Sequence, residues 1–104
     1  MTPLERLIER YEQTPDAHIA HGAYRIGDTY CVLGMALDIY SEAKGVGEWL
    51  PSSVLSGRYR FILDGQEVNE CPEEVLAFFG IKEWDVDNLV ESNDMRQQDG
   101  NATQ

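Results

Sequence analysis

Positive charge is scarce in this chain. Eight Lys and Arg stand against nineteen Asp and Glu in 104 residues, a formal net charge of −11. A field of that sign repels phosphate backbones and anionic lipid surfaces, which argues against direct nucleic-acid or membrane-surface binding. Cysteine is scarce too. Cys31 and Cys71 are the only two; they build no disulfide framework, and their apolar neighbours make them reduced, buried thiols of a cytosolic protein. The longest apolar stretch, Tyr30–Tyr40, is interrupted by Asp38 and is too short to span a bilayer. No basic stretch precedes an apolar one near the start, so no secretion signal is expected. Gly45-Val46-Gly47 lacks the third glycine and the Lys-Ser/Thr pair of a phosphate-binding loop, and Ser52 and Ser53 lack a nucleophile-elbow context.

What is present is an ordinary hydrophobic content, 42%, enough for one domain with a real core. Thr2, Pro3 and Glu5 have the spacing of a helix start, and Leu4, Leu7, Ile8 and Tyr11 make one apolar stripe behind it. Ala17–Ala23 reads as a short helical turn and Tyr24–Ile26 as a short strand. Gly27-Asp28 is a turn, and Thr29–Val32 either returns as a strand or opens the next helix. Residues Cys31 to Lys44 predict a central helix, apolar on nearly every side and stopped by Gly45. Trp49 is expected as a plug over it, and Pro51–Leu55 as a helical turn ending at Gly57. The alternation in Arg58–Leu63, followed by Asp64-Gly65 and Gln66–Val68, predicts a hairpin with a type I′ turn. Pro72 opens a further helix that Gly80 stops, and Asp85 or Asp87 starts a last short one. The expected fold is α+β: a central buried helix on a small antiparallel sheet, with short peripheral helices. Residues 1–94 form the single domain and 95–104 a polar, frayed tail.

The charge is unevenly placed. Residues 64–99 hold eleven acids and two bases, Lys82 and Arg96, whereas residues 1–63 hold eight acids and six bases. Glu67, Glu70, Glu73, Glu74, Glu83, Asp85, Asp87, Glu91 and Asp94 are therefore candidates for one acidic face, with Trp84 as an aromatic anchor inside it. Such a face can imitate the phosphate spacing of nucleic acid and occupy a basic groove. Solvation of an ordinary surface is the competing account.

Other chemistry is weaker. His18 and His21 with Cys31 and Cys71 would be a zinc set, but the two cysteines stand forty residues apart rather than as a close pair, so no metal is expected. Asp85-Val86-Asp87-Asn88 starts like a calcium loop and then has Val90 where the glycine belongs. A Cys31–His dyad lacks anything that would lower the thiol pKa, so catalysis is not expected, nor is a cofactor. Asp38, the one charge in its apolar run, must be paired; Arg25 or backbone amides are the expected partners. Alternatively, the narrow stripe of Cys31, Gly34, Asp38 and Ser41 lines a pocket.

Several of these residues fall in recognisable strings: Cys31, Leu33-Gly34 and Asp38, then Pro72-Glu73-Glu74-Val75 with Gly80, then Leu89 and Asn93-Asp94. In order and rough spacing, from about residue 24 to residue 94, they resemble a group of small proteins encoded by tailed bacteriophages and prophages. In that group a second cysteine usually follows the first, where this chain has Val32, and many members continue past Asn-Asp with an amphipathic helix. The resemblance implies an accessory role in the cytoplasm of a bacterial host. The expected function is a non-enzymatic binding protein, monomeric or a small homo-oligomer. Its acidic face would inhibit or redirect a basic host protein, such as a nucleic-acid-handling complex. Two alternatives stand beside it: sequestration of a small signal nucleotide near Gly34 and Asp38, and a self-assembling structural or regulatory phage protein.

Overall fold

Val32–Lys44 forms the helix on which the rest is built (α2). Cys31 precedes it in extended backbone and its Sγ accepts from the Gly34 amide at 3.3 Å, a thiol acting as the helix cap. Gly45 ends it in the left-handed conformation, φ 67°, with Lys44 beside the terminal carbonyls. Val32, Met35, Ala36, Leu37, Ile39 and Tyr40 are all buried, so this helix is indeed covered on most of its circumference. The computed structural model describes residues 2–21 and 23–102; for Glu83, Trp84 and residues 96–102 only the backbone is described.

Pro3–Gln13 (α1) packs along α2. Its start is a full capping box: Thr2 Oγ1 accepts from the Glu5 amide, and the Glu5 carboxylate accepts from the Thr2 amide, both at 3.2 Å. Of the predicted stripe Leu7 is buried, Leu4 and Tyr11 pack against the core, and Ile8 stays exposed. A single 3₁₀ turn at Asp16–His18 follows, shorter than the turn expected over Ala17–Ala23. Ile19 then bridges Tyr30, and the Ala20 amide donates to the Tyr30 carbonyl.

The sheet is antiparallel. Arg25–Ile26 (β1) and Thr29–Tyr30 (β2) form one hairpin, Glu48–Pro51 (β3) is an edge strand, and Arg58–Leu63 (β4) pairs with Gln66–Glu67 (β5). The order is β2-β1-β4-β3, with β5 beside the far end of β4. The choice left open at Thr29–Val32 resolves both ways: two residues of strand, then the cap of α2. Tyr59, Phe61 and Leu63 alternate toward α2, and Phe61 and Leu63 are buried in its core.

β3 departs from the expected helical turn at Pro51–Leu55. Trp49 pairs with Phe61 across the sheet, and Pro51 closes the strand on a free edge, where a missing N–H costs nothing. Glu73–Phe79 (α3) ends at Gly80, φ 72°. Pro72 stands just outside it as the cap. Glu83–Ala102 (α4) starts earlier than predicted and is twenty residues long. Met95-Arg96-Gln97-Gln98 are good helix formers, and a helix already nucleated and packed on the core adds one hydrogen bond per residue. Of the tail expected from residue 95, Thr103 and Gln104 lie outside the described residues.

Candidate docking site

The β4–β5 hairpin starts the site. Asp64 and Gly65 have φ of 53° and 78°, the two positive values that a type I′ turn requires. The turn sets Glu67 opposite Ile62, and the Val68 amide donates to the Phe61 carbonyl at 2.9 Å. The chain then swings through Asn69 and Glu70 to the start of α3. Tyr24 Oη donates to the Asn69 carbonyl at 2.8 Å and pins that swing to the entrance of β1. Val75, Leu76 and Phe79 bury the inner side of α3 and leave Glu73 and Glu74 exposed in its first turn. The result is a concavity of about 490 Å³ with Asp64, Glu67, Glu70, Glu73 and Glu74 in its walls and Leu63, Val68 and Leu76 beneath them.

This concavity continues. A second, about 440 Å³, shares Asn69, Glu70, Cys71 and Leu76 with it and adds Tyr24, Leu33, Val86 and Asp87. A third, about 340 Å³, shares Tyr24, Leu33 and Asn69 with the second and reaches Cys31, Val90, Asn93 and Asp94. Together they form one trench. Among the described residues, seven carboxylates line it, aliphatic side chains floor it, and no Lys or Arg lines any of the three parts.

The acids differ in what holds them. Glu73 and Glu74 sit where the peptide dipoles of α3 favour negative charge, and Glu74 also accepts from Tyr40 Oη at 3.4 Å. Glu67 meets Arg60 at 3.5 Å with both side chains exposed, a pair of little energetic weight. Asp94 pairs with His21 Nε2 at 2.8 Å. Glu70 and Asp87 have no cation partner among the described residues.

Not every predicted acid belongs to the trench. Asp85 accepts from the Lys82 amide at 3.2 Å and serves the start of α4. Glu91 is exposed and lines none of these concavities. The side chains of Glu83 and Trp84 lie outside the described residues.

Asn93 is the residue whose role the sequence hid. It is 4% exposed, its Oδ1 accepts from the Val32 amide at 2.9 Å, and its Nδ2 donates to the Ala20 carbonyl at 3.2 Å. A buried polar side chain with both ends bonded holds its helix in register. Asn93 thereby places Asp87, Val90 and Asp94 along the trench wall.

Burial raises the Cys31 thiol pKa and pushes that of Cys71 up to about 11, with the neighbouring Cys31 adding to it. Both are protonated at neutral pH and are poor nucleophiles. Burial, then the two thiols and Glu70, push Tyr24 up to about 12.

The Cys31–Gly34–Asp38–Ser41 stripe divides. Cys31 lines the trench, but a Cβ at Gly34 would collide with the Tyr24 carbonyl, so the glycine serves a close backbone approach. Ser41 Oγ lies 3.5 Å from the Gly47 carbonyl. Asp38 is paired, by Arg10 rather than the expected Arg25: Oδ2 accepts from Arg10 Nη1 at 2.9 Å and Oδ1 from Trp49 Nε1 at 3.1 Å. Arg25 is engaged elsewhere. Its Nε donates to the Gly27 carbonyl, and its guanidinium lies 4.1 Å from the Tyr59 ring centre and 5.1 Å from that of Tyr30. His18 faces a separate groove of about 560 Å³, in which Arg6 and Arg10 stand among Glu9, Asp28 and Glu42. Among the described residues no group of three or more His, Cys, Asp or Glu could hold a metal ion, and no helix is long and apolar enough to cross a membrane.

No protein-family model matches the chain, and neither does any curated protein or solved structure.

Proposed function

We propose that this protein is a non-enzymatic binding protein that seats a cationic segment of a partner protein in the acidic trench and so inhibits or redirects that partner. What supports this is the joining, among the described residues, of seven carboxylates and an aliphatic floor in three adjoining concavities that no described Lys or Arg lines. A solvated surface needs only scattered charge. Carboxylates gathered along one surface depression repel one another, and a cation entering between them relieves that repulsion. Leu33, Leu76, Val86 and Val90 offer contact to the aliphatic stems of Lys and Arg or to apolar residues between them.

The resemblance to phage accessory proteins gives the proposal its setting. The partner would be a basic host protein that handles nucleic acid, met in the cytoplasm of the bacterial cell. Its cationic surface, built to meet phosphates, would meet the trench carboxylates instead.

The test uses a synthetic peptide of alternating Lys and Leu, titrated by calorimetry into the wild-type chain and into Glu70→Lys/Glu73→Lys/Asp87→Lys. Binding to the wild type should weaken by about tenfold or more between about 0.05 and 0.3 M salt. The triple variant should fold, by circular dichroism, and bind at least about tenfold more weakly at low salt. Equal binding by the folded variant would overturn the proposal.

A further inference from the structure

Beside Tyr24 and Asn69 the trench is open to one side. A fourth concavity, about 240 Å³, begins there, sharing Tyr24, Val68 and Asn69 with the acidic part. Its walls add positive charge, Arg58 and Arg60, with Leu55 beside them, while Glu67, shared with the acidic part, faces Arg60. The two arginines lie two apart on β4, so they share the outer face of the sheet, on the side away from Phe61 and Leu63.

The loop that supplies Leu55 is braced. Ser52 Oγ accepts from the Val54 and Leu55 amides at 3.2 and 3.1 Å, the Arg58 amide donates to the Leu55 carbonyl, and the Gly27 amide donates to the Gly57 carbonyl at 2.7 Å. That bracing holds two large aliphatic side chains in water: Val54 is 85% exposed and Leu55 50%. Adjacent exposed apolar side chains beside arginine, a residue enriched at interfaces, fit a docking surface.

We infer that the partner segment is charge-segregated: cationic where it lies in the trench, and anionic with an apolar residue where it leaves past Tyr24 and Asn69 across Arg58, Arg60 and Leu55. The inference rests on the trench reading and adds direction to it. A segment cationic along its whole length would be repelled at the arginine end, whereas one whose charge reverses at Asn69 is matched at both ends. The exposed Arg60–Glu67 pair at 3.5 Å is weak enough to open for an incoming carboxylate.

The test compares two synthetic peptides at low salt: Lys/Leu repeats alone, and the same repeats extended by Leu-Glu-Glu. The extended peptide should bind the wild type about tenfold more tightly. That advantage should vanish in Arg58→Glu/Arg60→Glu, and also in Arg60→Glu alone, which leaves the start of β4 intact; both variants should bind the unextended peptide at least as tightly as the wild type does. Equal affinity of the two peptides for the wild type, or an advantage that survives Arg60→Glu, overturns the inference and leaves the trench reading standing. If neither peptide binds, both fall together.

Discussion

Asp38 and Glu70 are carboxylates of one small molecule with opposite surroundings. Asp38 is 20% exposed and has two donors, Arg10 and Trp49, while the Tyr30 ring lies under Arg10 and Arg25. Glu70 lies where two parts of the trench meet, with other acids around it and no cation partner among the described residues. Where the fold needs a carboxylate in a half-buried position, the chain places a cation against it. Along the trench, among the described residues, Glu67 alone meets a Lys or Arg, in the exposed 3.5 Å contact with Arg60. The surplus of acid is therefore a property of one region rather than of the composition at large, and even the groove beside Arg10 mixes the two signs.

The contrast predicts unequal costs. Asp38→Ala strips Arg10 and the Trp49 indole of their acceptor and should cost about 1–3 kcal/mol by urea denaturation. Neutralising Glu70→Gln and Asp87→Asn together should change stability by no more than about 0.5 kcal/mol, and in the favourable direction, because repulsion is removed. A trench pair as costly as Asp38 would mean that those acids serve the fold, and the contrast would be lost.

A smaller effect separates the regions by pH. Tyr24 and Cys71 line the trench with pKa values raised from 10.0 to about 12 and from 9.0 to about 11. Below pH 9 both groups keep their protons whether the chain is folded or not. Above it the unfolded chain loses protons that the folded one retains, so stability falls as pH rises from about 9 toward 12. Tm followed by circular dichroism should fall across that window. Tyr24→Phe should flatten its upper part, above pH 10, where the tyrosine contributes. A Tm constant from pH 9 to 12 would place both groups in water.

Local chemistry made part of this legible in the sequence. The β4–β5 hairpin follows from alternation around Asp64-Gly65, and α2 from an apolar run ended by Gly45, because turn and helix-end preferences act within a few residues. β3 was hidden since Trp49 and Leu50 are too few to show a period; the strand exists through pairing with β4. The acids Glu67, Glu70, Glu73 and Glu74 are neighbours in sequence and stay neighbours in space. On α4 the helical period divides the remainder: Asp87, Val90 and Asp94 reach the trench while Glu91 does not. Tyr24 and Asn69 could not be foreseen, since they meet across 45 residues only once the sheet has closed. Nor could the partner of Asp38: Arg10 and Arg25 are both arginines, and the folded chain engages Arg25 with the Gly27 carbonyl and the Tyr59 ring while Arg10 reaches Asp38.

On the proposed function one depression, and not the acidic surface in general, receives the cation. Backbone amide shifts followed by NMR while the Lys/Leu peptide is added test that directly. Shifts should concentrate at residues 64–74, at Tyr24 and Leu33 and along 86–94, with Glu9, Glu12 and Glu42 unmoved. Shifts of equal size at Glu9, Glu12 and Glu42 would contradict it.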